Sequence, residues 1–471
     1  MRLHEAAAAL NIAPVGGGER EIAHIGTDSR NVRAGELFVA LRGERFDGHD
    51  FVGQAAAAGA VAALVDAQWA QAHPQAEVPL LVVDDTRSAL GTLAAWWRGR
   101  FDIPVIGVTG SNGKTTVKEM CAAIMRAQAA RDGFDAAAVL ATRGNLNNDI
   151  GVPLTLFGLD EGHRAAIIEM GMNRPGEIAR LTLLARPTVA IVTNAQRAHL
   201  QGMGTVVSIA EEKGAIYGGL GSAGIAVINA DDPHADYWRG LNASRRTVGF
   251  GLTRPADVQG RCTLQGLGSE LVLTTPAGAV TVALQVPGEH NARNALGAAA
   301  ACLAAGASLQ AVSDGLAAYT GTRGRLERRA GANGATLLDD SYNANPDSVR
   351  AAIDVLASTP GRKILVLGDM GEMGWTSAQV HDEIGGYAKS KGVDALFALG
   401  DMSAVAVHNF GDGGRHFKAV DALVAALRPE LDARTVVLVK GSRFMRMERV
   451  VEALVAVHNA PPSNEGDPHV A

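Results

Sequence analysis

The segment PVIGVTGSNGKTTVKEMCAAIM, residues 104–125, constrains the fold more than any other part of the chain. An apolar run that reads as a buried strand enters a glycine turn, and a helical pattern follows at once. Such a turn presents backbone N–H groups and the positive end of a helix dipole to a phosphate chain. Gly110, Ser111, Asn112, Gly113, Lys114, Thr115 and Thr116 are therefore read as an ATP-binding loop. In that reading Lys114 reaches the β- and γ-phosphates, and the Thr115 hydroxyl is offered to Mg²⁺. Val108 stands where the strict pattern G-x-x-x-x-G-K-[ST] has its first glycine. The alternative is a glycine turn that only caps a structural helix.

The same alternation recurs along the chain. ELFVAL, AVAALV and PLLVVDD lie between Ala-rich helical stretches before residue 101. AAIIEMG, VAIVTN and IAVINADD follow the loop, and LLDD, KILVLGD, ALFALGD and TVVLVKGS fill the last third. Strands alternating with helices predict an α/β chain with mostly parallel sheets. At 471 residues it exceeds what one core organises. The expected division is a small N-terminal α/β domain over 1–102, a central ATP-binding domain over 103–321 and a C-terminal, doubly wound, Rossmann-like domain over 322–458. Residues 459–471, rich in Pro, Gly and charge, are expected to be a disordered tail.

A formal net charge of -6 leaves no basic footprint for nucleic acid. Cys121, Cys262 and Cys302 are too sparse for a disulfide framework or a zinc ribbon. The N-terminus is too weakly apolar for a signal peptide, and no run approaches the ~18–20 apolar residues of a membrane span. The expectation is a cytoplasmic monomer.

In open parallel sheets ligands gather at the C-terminal ends of strands, and the polar motifs sit there. Glu169 ends AAIIE, where a carboxylate beside a phosphate loop suits Mg²⁺; a helix-capping or surface Glu is the alternative. His199 follows VAIVTNAQRAHL in the same relation, although a lone histidine is often structural. Lys213, in SIAEEKGAIY, belongs on a helix, and by itself reads as a solvated surface lysine. Asp340 closes a strand before SYNAN, and Pro346 suits the first helical position after an Asn345 cap.

The variant loop T-G-x-N-G-K-T-T resembles the Mur ligase and folylpolyglutamate synthetase superfamily. IGTDSRNVRAGELFVALRGERFDGHDF, GNLNNDIGVP, DDSYNANPDS, KILVLGDMGEMG and VLVKGSR extend the resemblance to the Mur ligases from end to end. It implies that Glu169 and His199 bind metal, and that Lys213, in A-x-x-K-x-x-I, is carbamylated and helps to hold Mg²⁺. It also implies Asn291 or His290 near adenine, Arg325 facing phosphate and Asp340 on the ribose. Thr27, Asp28, Ser29 and Arg30 would bind the UDP end, while Asn145, Asn148, Asn343 and Asn345 would face substrate. The implied reaction joins D-alanyl-D-alanine to UDP-N-acetylmuramoyl-tripeptide, with ATP and Mg²⁺, through an acyl phosphate. A diamino-acid-adding relative is disfavoured because no DNPR motif occurs, and a folylpolyglutamate synthetase because it generally lacks the TDSR-bearing domain. A P-loop switch or transport ATPase would leave the first and last thirds without a role.

Overall fold

The apolar runs become the strands of three sheets in a computed structural model that describes residues 1–13 and 16–456. The tail expected over 459–471 lies outside the described residues. The first sheet holds β1 (His24–Gly26), β2 (Glu36–Val39), β3 (Ala60–Asp66) and β4 (Leu80–Val83), in that order and all parallel. The second is built from β5 (Val105–Thr109), β6 (Val139–Ala141), β7 (Ala165–Glu169), β8 (Val189–Val192), β9 (Ile225–Asn229), β10 (Arg246–Gly251), β11 (Val258–Gln265), β12 (Gly268–Thr275) and β13 (Gly278–Leu284). Its order is β13-β12-β11-β10-β9-β8-β5-β7-β6. The chain leaves β5 toward β6 on one side and returns through β7 to β8 on the other. The end of β5 is thus a topological switch point, the crevice where open α/β sheets bind ligands.

The third sheet holds β14 (Glu327–Ala330), β15 (Thr336–Asp340), β16 (Arg362–Gly368), β17 (Ala395–Leu399), β18 (Gly414–Phe417) and β19 (Thr435–Lys440). Its order is β14-β15-β19-β16-β17-β18, parallel except for the β14–β15 pair. The C-terminal ends of β15, β19 and β16 lie side by side. After β15 the helix Pro346–Ser358 starts as its sequence requires. Asn345 Oδ1 accepts from Ser348 N at 3.0 Å, and Ser348 Oγ accepts from Asn345 N at 3.0 Å. Such a cap contributes about 1 kcal/mol.

The chain forms two compact units. One comprises residues 1–263, 270–284 and 290–319; the other comprises 264–269, 285–289 and the described residues from 320 onward. The first two sheets share a unit because the helix Thr86–Arg98 serves both cores. Leu90 and Leu93 enter the first core, and Ala94 enters the central one. Buried Arg98 completes the joint, donating to Ala185 O at 3.0 Å and to Phe101 O at 2.6 Å. Sequence reading separates these two domains at residue 102 and does not anticipate the joint. It also passes over β11, β12 and β13. Among the described residues, no helix is long and apolar enough to cross a membrane.

Candidate active site

The loop after β5 takes a shape that only glycine allows at two points. Gly110 has φ 151°, and a Cβ there would fall 1.7 Å from Thr193 Oγ1. Gly113, at φ 81°, caps the helix Lys114–Arg131, and its Cβ would fall 2.3 Å from Asn294 Oδ1. The turn is fixed from the end of β8. Ser111 N donates to Asn194 O at 3.0 Å, Asn112 N to Asn194 Oδ1 at 2.9 Å, and Thr193 Oγ1 to Asn112 O at 2.6 Å. Asn112 Nδ2 reaches Gln196 Oε1 at 2.6 Å. Lys114 Nζ folds back onto Gly110 O at 2.8 Å and Ser111 O at 3.3 Å. Its ammonium is therefore held over the loop where a phosphate would lie, with Thr115 and Thr116 buried behind it.

Glu169 stands at the end of β7, next to β5, and is 2% exposed. Asn147 Nδ2 donates to its Oε1 at 2.8 Å, while its Oε2 is buried with no hydrogen-bond partner. A buried carboxylate oxygen left in that state calls for a cation. Beyond β8, His199 adopts φ 58° and ψ 30°, a left-handed conformation that costs energy in a residue with a side chain. Lys213, on the helix Val206–Gly214, is 1% exposed, so the surface-lysine alternative does not hold. Burial, together with the charge of Lys114, pushes its amine well below the usual lysine range. That direction favours the neutral, nucleophilic form of the amine, the form that adds CO₂ to give a carbamate.

These residues fit Mg²⁺. Glu169 Oε2 supplies a hard oxygen at the end of β7, and Thr115, in the first turn of the helix that follows the neighbouring β5, supplies a hydroxyl. Among the described residues, no three His, Cys, Asp or Glu side chains converge on one point.

The other sequence-predicted residues fall into separate groups. Asn291 is buried on the helix Glu289–Ala304 and accepts from Asn294 Nδ2 at 3.2 Å, one step from Gly113. The acids of INADD are used structurally: Asp231 accepts from Leu252 N at 2.8 Å and Arg254 N at 2.8 Å, and Asp232 from Ala195 N at 2.9 Å. Asn148 Oδ1 accepts from Gly151 N, the first residue of the helix Gly151–Leu156, at 2.8 Å, and Asn145 is exposed. The neighbour that touches Glu169 is Asn147, which sequence reading missed by one position.

Thr27, Asp28, Ser29 and Arg30 form the turn at the end of β1, on the first sheet. Arg30 grips Asp28 through Nε at 2.8 Å and Nη2 at 2.9 Å, and this holds the carboxyl well below the usual range. In the second unit, Asp340 receives Lys440 Nζ at 2.6 Å and Leu326 N at 3.2 Å; burial pushes its carboxyl up, offset in part by Lys440 and Arg325. Lys440 also donates to Asn343 O at 2.9 Å. It is buried at the end of β19, and its place in VLVKGS was the signal that could have found it. Asn345 spends Oδ1 on its helix cap, and Arg325 lies over the Tyr342 ring at 4.4 Å.

Three family models match the chain in order. They are the Mur ligase family catalytic domain at residues 21–98, the Mur ligase middle domain at 108–302 and the Mur ligase glutamate ligase domain at 324–443. The UDP-N-acetylmuramoyl-tripeptide–D-alanyl-D-alanine ligase of Escherichia coli (strain K12) is 43% identical over 435 residues, covering 91% of this chain and 92% of its own. A crystal structure of MurF from Acinetobacter baumannii has a TM-score of 0.87 at 35% identity and covers 96% of this chain and 98% of its own. MurF from Thermotoga maritima, solved in complex with ADP, has a TM-score of 0.80 at 28% identity, covering 92% and 97%. With likeness of this extent running through all three sheets, the chain belongs to the Mur ligase family.

Proposed function

We propose that the protein uses ATP to join D-alanyl-D-alanine to UDP-N-acetylmuramoyl-tripeptide, forming the pentapeptide precursor of peptidoglycan. The observation that carries this reading is the end-to-end likeness to ligases named for that reaction. In the same reading the functional division runs at residues 102 and 321, and the protein works in the cytoplasm as a monomer.

Each residue then has a task. The 110–116 loop binds the phosphate chain, and Lys114 leaves its carbonyl partners to neutralise charge on the transferred phosphoryl group. Mg²⁺, when bound, shields the phosphate oxygens; Thr115, Glu169, His199 and a carbamylated Lys213 are the residues that would hold it. Asn147 orients Glu169. Asn291 serves the adenine end, Asp340 the ribose and Arg325 the phosphoryl group. The turn Thr27–Arg30 holds the UDP end, with Asn145, Asn148, Asn343 and Asn345 toward the peptide substrates. The tripeptide carboxylate takes the γ-phosphoryl group, and the amine of D-alanyl-D-alanine displaces phosphate from the acyl carbon. Phosphoryl transfer of this kind depends on positioning and electrostatics rather than on a protein nucleophile.

The test is ADP release by purified protein with Mg²⁺, ATP, UDP-N-acetylmuramoyl-tripeptide and each of several amines. Turnover is expected to need all components and to be fastest with D-alanyl-D-alanine. A tripeptide without the UDP-sugar should lose rate as well as affinity, because remote binding energy serves positioning at the carboxylate. Faster turnover with glutamate and a folate, or with a diamino acid and the UDP-dipeptide, would overturn the assignment.

A further inference from the structure

Beside the groups given a task above, the second unit presents a cation that has none. Arg443 lies three residues beyond Lys440, the last residue of β19, at the strand ends that carry Asp340 and Lys440. Its backbone N donates to Asn343 Oδ1 at 3.3 Å, and its guanidinium lies 5.8 Å from the centre of the Tyr342 ring. Arg325 shares that ring at 4.4 Å, so one aromatic side chain positions two guanidinium groups. Arg443 Nη1 also meets Glu448 Oε1 at 3.1 Å, but the arginine is 60% exposed there. An ion pair so open to water contributes little and is readily exchanged for a better anion. The next residue, Phe444, is 64% exposed, and its ring lies 2.8 Å from where a Cβ on Gly371 would stand. A cation beside an exposed ring suits a small ligand with one carboxylate and apolar methyl groups.

We propose that Arg443 binds the free carboxylate of the dipeptide substrate and so sets the preference for a dipeptide over a single amino acid. The proposal rests on the function proposed above, in which Arg325 attends the phosphoryl group. Distances of 4.4 and 5.8 Å from one ring centre put the two guanidinium carbons at most about 10 Å apart, the reach of an extended dipeptide plus one hydrogen bond. The amine must attack a carbon bonded to that phosphate while the far carboxylate is held at Arg443. A single amino acid is about half as long and carries its carboxylate next to the attacking amine rather than a peptide unit away. A guanidinium offers paired donors in the plane a carboxylate needs, which a lysine does not.

The experiment compares D-alanyl-D-alanine with its C-terminal carboxamide, using the wild-type chain and the variants Arg443→Ala and Arg443→Lys. For wild type the carboxamide should show a KM raised about 10- to 100-fold, the range expected for loss of a charge-assisted hydrogen bond. Arg443→Ala should raise the KM for the acid by a similar factor and leave that for the carboxamide unchanged. The KM for ATP and for the UDP-tripeptide should stay within about two-fold, and Arg443→Lys should recover part of the discrimination. Arg443 is exposed, so an unchanged urea midpoint should accompany these effects. If Arg443→Ala still discriminates acid from carboxamide as wild type does, or raises the KM for ATP instead, the proposal fails. Wild-type turnover of the acid reports on the function separately: equal use of acid and carboxamide overturns the role of Arg443 and leaves the ligase reading intact.

Discussion

Replacing Lys114 by Ala is expected to lower ligation by about 10³-fold or more while leaving the fold intact, the scale on which removal of a cationic phosphoryl contact acts. The residue is only half-buried. Its ammonium hydrogen-bonds to two carbonyls of its own loop, Gly110 O and Ser111 O. The loop keeps its shape without it, because Asn194, Gln196 and Thr193 tie Ser111 and Asn112 to the end of β8. Thermal unfolding should therefore match wild type while ADP release nearly vanishes. Near-normal turnover in a folded Lys114→Ala protein would remove the ATP site from this loop.

Lys213→Ala is expected to be almost as damaging, for a different reason. A buried amine with the charge of Lys114 nearby is unfavourable as an ammonium. In the proposed reading, addition of CO₂ to the neutral amine with release of a proton gives a carbamate, an anionic oxygen ligand. Removing the side chain removes that anion, and a small carboxylate such as acetate should restore part of the activity by entering the space left behind. A ¹³C signal from wild type equilibrated with labelled bicarbonate, absent from the variant, is the direct check. Full activity of Lys213→Ala without added anion would show that the lysine is only structural.

How much of this was legible beforehand depended on whether local chemistry or tertiary packing decided the outcome. The strand, glycine turn and helix of residues 105–131 were legible because they are consecutive and short-range geometry dictates them. So was the helix start at Asn345–Pro346, where a cap and a fixed φ act within four residues. Burial of Lys213 was not, because it comes from packing of elements far apart in sequence, and its own segment reads as a charged helix face. Asn147 was hidden for a related reason: three asparagines in GNLNND look alike until the turn points one at Glu169 and another at a helix N-terminus. The joint at Arg98 depends on carbonyls 87 and 88 residues away, beyond the reach of any pattern. By contrast, β11 to β13 could have been found. RCTLQGLGSELVLTTPAGAVTVAL alternates polar and apolar residues around turns at Gly266 and Gly278, both at positive φ.

In the proposed reaction ATP activates the tripeptide carboxylate as an acyl phosphate before the dipeptide amine attacks. It is tested most directly with UDP-N-acetylmuramoyl-tripeptide carrying ¹⁸O in its terminal carboxylate. Displacement of phosphate from the acyl carbon takes one carboxylate oxygen with it, so each turnover should transfer one ¹⁸O atom to inorganic phosphate, read by mass spectrometry. Phosphate released without ¹⁸O, in a reaction that still forms the pentapeptide, would rule out an acyl phosphate.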